Sequence, residues 1–246
     1  MKMNELKLIL LTIAVLPLFS AALVRSPKLI KQLENYSEEV VQEFDLISEE
    51  RKEVLRDIGR YIYEKRTSGE PVKLTVICTH NSRRSHMGQL WVEVAAVWYG
   101  MDEVSAFSGG TETTAFNPRA VDALNRAGFR IKKVNNAENP TYEGVFLRGL
   151  GRKDPILMYS KKYDDRQNPG SNFAAIMVCS DADESCPVVP GAEFRAAVPF
   201  DDPRYFDNTA SEELKYDETV REIAREIFYA MHFAKEQLIL DQEKMK

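Results

Sequence analysis

Leu74-Thr75-Val76-Ile77-Cys78-Thr79-His80-Asn81-Ser82-Arg83-Arg84-Ser85 is the stretch on which the fold turns. Its first four residues form an apolar run that predicts a buried strand. Met87 to Tyr99 is apolar-rich and predicts a helix. A cysteine therefore ends a strand, a tight polar loop follows, and a helix N-terminus closes it. Successive backbone N–H groups in such a loop form an anion nest, and the helix dipole adds positive charge at the same place. Arg84, six residues after Cys78, can fold back and present a planar fork to a tetrahedral oxyanion. That field favours the thiolate over the thiol. Cys78 is thus a candidate nucleophile on the floor of an oxyanion pocket, with Thr79, His80, Asn81, Ser82, Arg83 and Ser85 around it. The competing view is a buried structural cysteine beside solvated arginines. It fits badly, because two arginines and a serine in a short junction are poor core material.

Outward from this stretch the chain alternates strands and helices. Val104-Ser105-Ala106-Phe107 predicts a second strand, followed by a Ser108-Gly109-Gly110-Thr111 loop. Asn117-Pro118 opens a helix to about Ala127, which Gly128 ends. Phe129-Arg130-Ile131 suggests a short strand, and Asn135 to Lys153 reads as irregular. Ile156-Leu157-Met158-Tyr159 and Ala174-Ala175-Ile176-Met177-Val178 predict two further buried strands. A long helix follows from about Ser211 to Gln242. The expectation is an α/β fold: a central parallel sheet of about four strands with helices on both faces. A functional loop at the carboxyl end of its first strand suits that architecture.

Before the domain, Lys28 to Arg66 is helix-like and charged. Ser48-Glu49-Glu50 ahead of Val54, Ile58 and Ile62 has the look of a capped amphipathic helix. Val40, Val41, Phe44 and Ile47 offer a face for an earlier one. The organisation read from sequence is residues 1–25 as a signal peptide or membrane anchor, 26–70 as a helical extension, and 71–246 as the α/β domain. Leu8 to Val24 is nearly all apolar after Lys2 and Lys7, and Ser20-Ala21-Ala22 is a small-residue exit. Arg25, Lys28 and Lys31 oppose translocation. An exported or membrane-anchored protein is the favoured expectation, with a cytoplasmic one as the alternative and a docked apolar helix as the bland view.

Composition narrows the classes. The net charge is -5 and no basic stripe runs through the chain, which argues against a nucleic-acid partner. Three cysteines are too few for a disulfide scaffold, and the three histidines show no zinc spacing. No metal and no bound cofactor are expected.

A second constellation follows the last apolar strand: Cys179-Ser180-Asp181-Ala182-Asp183-Glu184-Ser185-Cys186-Pro187. Its acidic, small residues predict an exposed, mobile segment. The spacing allows a disulfide if the segment bends or a short helix unwinds; two unrelated free thiols are the alternative. Phe200-Asp201-Asp202-Pro203 places Asp202 before a proline, which holds it extended. Alone it is an ordinary turn; beside the cysteine loop, Asp202 is a candidate general acid.

Together these residues resemble the low-molecular-weight protein tyrosine phosphatase superfamily, and more closely its thioredoxin-coupled arsenate reductases. Cys78 to Ser85 is similar to the family's nucleophile loop, and Asp202-Pro203 to its acid motif. Ser108-Gly109-Gly110 and Asn117-Pro118-Arg119-Ala120 also look like family segments. The cysteine pair is what distinguishes the reductases from the phosphatases. The resemblance spans about Lys73 to Phe233. His80 stands where a glycine is usual, Arg83 where many members carry a cysteine, and Asn135 to Ser171 is longer than the reductases need. Such an additional loop could line the pocket.

The resemblance implies an enzyme that reduces arsenate through Cys78, Arg84 and Asp202, with Cys179 and Cys186 as a disulfide relay. Thioredoxin or a similar dithiol would be its reductant. A rival implication is hydrolysis of phosphomonoesters through a phosphocysteine. A third, of another class, is a non-catalytic sensor of phosphate or a phosphoprotein.

Overall fold

The computed structural model describes residues 28–101, 103–148, 155–186 and 188–244. The expected signal or anchor at residues 1–25 lies outside them. Among the described residues no helix is long and apolar enough to cross a membrane.

The central sheet is four-stranded and parallel, in the order β2-β1-β6-β7, with β1 at Val72–Cys78, β2 at Val104–Gly110, β6 at Phe173–Met177 and β7 at Ala192–Ala197. Strand β1 is buried along nearly its whole length, as its unbroken apolar run predicts for a strand covered on both faces. Helices α2 (Glu49–Thr67), α3 (Arg84–Trp98) and α6 (Glu212–Lys244) cover one face. The other face is covered by the short helix α5 (Ser180–Ser185) and by residues 159–171. There Arg195 of β7 holds α5, and Tyr163 lies on Gly109.

One strand differs from its sequence reading. Ile156–Met158 (β5) does not join the parallel sheet. It pairs antiparallel with β4 (Tyr142–Val145), which pairs with β3 (Arg130–Lys133) in a separate sheet. Leu157 is 60% exposed, so the short apolar run is only half buried. The fourth parallel strand is β7, whose Ala-Glu-Phe-Arg-Ala-Ala has no apolar run because it is an edge strand, with only Ala196 buried. Tyr142–Val145 was likewise expected to be irregular.

The N-terminal helices share this core. Residues 28–30 run antiparallel to 146–148, with Ile30 N–H donating to Phe146 O at 2.9 Å and Arg148 N–H to Lys28 O at 2.7 Å. Helix α1 (Lys31–Val40) stacks Tyr36 on the fully buried Trp91 of α3. Val40 ends α1, and residues 41–46 continue as a 3-10 turn. The Ser48 side chain caps α2 by accepting from Arg51 N–H, as its sequence predicts. Leu55, Ile58 and Ile62 then pack between the sheet and α6. Helix α4 (Pro118–Ala127) ends at Gly128, whose φ of 119° is left-handed, as expected for a helix stop.

Because β1 lies between β2 and β6, the chain leaves it in one direction and later returns on the other side. This is the topological switch point at which α/β sheets place their sites. The loops after β2, β1, β6 and β7 meet there, at the carboxyl end of the sheet. They bring together Cys78, Cys179 and the segment leading to Asp202. Strand pairing carries on past the strand ends: Val178 N–H donates to Ile77 O and Phe200 N–H to Val178 O.

Candidate active site

The loop after β1 is held from outside by its carbonyls. Cys78 O accepts from Thr111 N–H (3.3 Å), Thr79 O from Glu112 N–H (2.8 Å), and Ser82 O from Asn117 N–H (2.9 Å). His80 O accepts from the Ser160 hydroxyl at 2.9 Å. In a trans peptide the N–H points opposite to the carbonyl. Turning these four carbonyls outward therefore turns the N–H groups of Thr79, His80, Asn81 and Arg83 inward. Helix α3 begins at Arg84 with no side-chain cap, so its first N–H groups face the same space. The backbone of β2 lies directly against the loop. A Cβ on Gly110 would come within 2.6 Å of Thr79 O and 2.7 Å of Asn81 N, so only glycine fits.

Within the loop, Cys78 Sγ lies 3.0 Å from Ser85 Oγ, which also accepts from the Asn81 amide at 2.8 Å. Asn81 has a φ of 43° and is fully buried. Its Oδ1 accepts from Lys161 N–H at 2.8 Å, so one side chain fixes the loop at both ends of its turn. Ser160 and Lys161 escaped sequence reasoning. They lie some 80 residues from the loop, in the longer segment expected to line the pocket, with no residue of it singled out. Their role is to brace the outside of the nest. Lys161 is 6% exposed, and its ammonium sits over the Tyr159 ring. Burial pushes its pKa down to about 8. His86, in the first turn of α3, is fully buried against Phe116 and Ser108. Burial first, then the Lys161 charge, holds it well below the usual histidine range, so the ring is neutral.

The two arginines diverge. Arg84 is 9% exposed and reaches the acid loop, donating from Nη1 to Phe200 O at 2.7 Å and from Nη2 to Asp202 Oδ2 at 2.5 Å. Asp202 Oδ1 accepts from Arg204 N–H, capping the turn at Pro203–Phe206. Arg83 goes elsewhere. Its Nε donates to the Tyr216 hydroxyl and its Nη2 to Asp207, so only its backbone N–H belongs to the nest. The His80 ring lies 3.4 Å from Glu112, and the Ser82 hydroxyl donates to Ala115 O.

The cysteine pair brackets α5. Cys179 is its N-cap and is 1% exposed, with Sγ at 3.4 Å from the hydroxyl of Thr79, the neighbour of Cys78. Cys186 is half-buried at the other end beside Tyr163. The segment is a short helix, exposed at Ser180, Asp181 and Glu184 as its composition predicts, with Ala182 buried beneath it. Arg195 holds it by donating to Asp183 and to Cys186 O. All three thiols are free.

A cysteine, inward N–H groups and an arginine that turns back beside them meet at the switch point of the parallel sheet. The chain belongs to the family of the arsenate reductases, its curated relatives. It is 30% identical to the arsenate reductase 2 of Staphylococcus saprophyticus over 128 residues, covering 52% of this chain and 75% of that protein. It is 28% identical to the arsenate reductase of Bacillus subtilis over 146 residues, covering 59% and 84%. No family model matches. Among solved structures, a low-molecular-weight phosphotyrosine phosphatase from Vibrio cholerae superposes with a TM-score of 0.47 at 15% identity, over 68% of this chain and 98% of that one.

Proposed function

We propose that the protein is an arsenate reductase that passes oxidising equivalents along Cys78, Cys179 and Cys186. The observation that carries this reading is the buried Cys179, 3.4 Å from the side chain of the residue next to Cys78. A tyrosine phosphatase has no use for a second thiol there.

Arsenate enters the nest, and its oxygens take up the inward N–H groups and the Arg84 fork. Cys78 thiolate attacks arsenic. One As–O bond breaks, and its oxygen leaves as water after Asp202 supplies a proton. Cys179 then attacks Cys78 Sγ. The S–As bond breaks with its electron pair passing to arsenic, which falls from the pentavalent to the trivalent state. Arsenite leaves and a Cys78–Cys179 disulfide remains. Cys186 attacks Cys179 in turn, frees the Cys78 thiolate, and closes a Cys179–Cys186 disulfide. An external dithiol of the thioredoxin kind reduces it by thiol exchange. The relay has a physical reason: Cys78 is 4% exposed at the floor of its nest, where a protein reductant cannot reach it.

Cys78, Arg84 and Asp202 would also suffice for phosphomonoester hydrolysis, with water attacking a phosphocysteine. The deciding experiment incubates reduced protein with one equivalent of arsenate, then maps disulfides by mass. A Cys179–Cys186 bond with one arsenite released per chain supports the reductase. Three free thiols, with p-nitrophenyl phosphate hydrolysed in parallel, overturn it in favour of the phosphatase.

A further inference from the structure

Asp202 hangs from a short run, Pro199-Phe200-Asp201-Asp202, that leaves the edge strand β7. Consecutive carbonyls of this run are gripped by arginines from two different parts of the chain. Phe200 O accepts from Arg84 Nη1 at 2.7 Å. Pro199 O accepts from Arg51 Nη2 at 2.8 Å, and the Arg51 guanidinium also covers the Phe200 ring at 5.0 Å. Arg51 belongs to the first turn of α2, in the helical region preceding the stretch of family resemblance. It is itself anchored, since its Nε donates to Glu226 Oε2 of α6 at 2.8 Å, and the Glu226 side chain is 7% exposed. Phe200 and Glu226 both border an apolar cavity between α2, the sheet and α6. Among the described residues, those lining the cavity other than Glu226 are apolar.

We infer that Arg51, anchored by Glu226, is a positioning residue for the acid loop, so the N-terminal helical region forms part of the catalytic apparatus. Its planar fork reaches carbonyl and carboxylate together while its face lies on the ring, an arrangement an ammonium cannot reproduce. Without it, the run keeps only the bond from Phe200 N–H to Val178 O and the grip of Arg84 on Phe200 O, and Asp202 shifts with it. This inference rests on Asp202 being the proton donor.

The test uses the full chain and two aryl phosphates. Phenyl phosphate has a poor leaving group and needs the proton; 2,4-dinitrophenyl phosphate does not. Arg51→Met, which keeps the apolar stem, is expected to slow phenyl phosphate about tenfold, one decade of what a placed acid supplies, and the activated ester less than about twofold. Arg51→Lys recovers little. Glu43→Gln removes another ion pair of the same helical region, with Arg221, and leaves the ratio unchanged. Equal slowing of both esters, or of neither, overturns the inference. Hydrogen exchange at the Phe200, Asp201 and Asp202 amides is read on the same samples. It should quicken in Arg51→Met and not in Glu43→Gln. If the parent protein hydrolyses neither ester, the proton-donor reading fails on its own account. Unchanged exchange in Arg51→Met then overturns the positioning of the loop separately.

Discussion

Arg84 and Asp202 meet in an ion pair of 2.5 Å across the mouth of the nest, both nearly buried. An entering oxyanion must take the guanidinium from the carboxylate. On the proposed function, the free protein therefore keeps its anion site partly filled by its own carboxylate, and releasing that carboxylate would ready it to carry a proton.

From this pair follows a split between binding and turnover. Asp202→Ala removes a negative charge beside an anion site and frees the Arg84 fork. Phosphate should bind about fivefold more tightly, roughly 1 kcal/mol, as expected for one like charge removed at partly screened range. Turnover should fall by about two orders of magnitude through loss of the proton donor. Calorimetric titration with phosphate, alongside steady-state rates, checks both. Weaker phosphate binding would show that Asp202 organises Arg84 rather than competing for it.

The loop's shape is expected to depend on Asn81 twice over. Its side chain makes two buried hydrogen bonds, and its backbone sits at a φ of 43°. Asn81→Gly loses the bonds alone, about 2–3 kcal/mol. Asn81→Ala loses the same bonds and keeps a Cβ in the left-handed region, which alanine tolerates less well than asparagine, about 1 kcal/mol more. Denaturant melts should rank them in that order. Equal losses would mean that the conformation carries no strain.

The proposed relay predicts distinct phenotypes for the two outer cysteines. Cys186→Ser should release one arsenite per chain and stop as a Cys78–Cys179 disulfide, visible by mass. Cys179→Ser should release none. The double variant should lose arsenate turnover and keep aryl phosphate hydrolysis. Multiple turnovers in Cys186→Ser would sink the relay.

Stability should respond to pH through two groups of opposite sense. Burial in apolar surroundings raises Glu226 to about 7, against the pull of Arg51, with Glu222 pushing it up and Arg225 down. A raised carboxyl contributes stability that is full below its unfolded value, near 4.5, and is lost as pH climbs to about 7. The loss is at most about 3 kcal/mol. His86 is depressed, so its contribution is present above about 6.5 and falls away in acid. The difference in unfolding free energy between the parent protein and Glu226→Gln, measured from pH 4.5 to 7.5, should therefore slope toward the variant. A flat difference would place Glu226 in a wetter setting.

Much of the site was legible because its geometry is local. Cys78 to Ser85 carries strand end, nest and helix start in one stretch, and Asp202-Pro203 fixes its own backbone. The Cys179–Cys186 pair was legible as two thiols with room for a short helix between them, but the burial of Ala182 was not, since that is decided by neighbours. Ser160 and Lys161 had no local signal, being polar residues whose partners lie far off in sequence. The same holds for Arg51, which looks in sequence like any charge on a surface helix. Arg83 misled for the converse reason. Its neighbourhood suggested the pocket, while Tyr216 and Asp207, on the far end of the chain, claim its side chain. Strand β7 hid because an edge strand with one buried residue needs no apolar run.

Helix α5 spans the distance between the two outer cysteines. Seven residues of α-helix separate their Cα atoms by roughly 10 Å, whereas a disulfide tolerates about 4.4–6.8 Å. A bridge across them must therefore dismantle the helix, draw Ala182 out of the core and pull Asp183 from Arg195. Oxidation would then be recorded as a stretch of unfolded chain. A protease or a partner could distinguish the spent molecule from the fresh one without touching either sulfur.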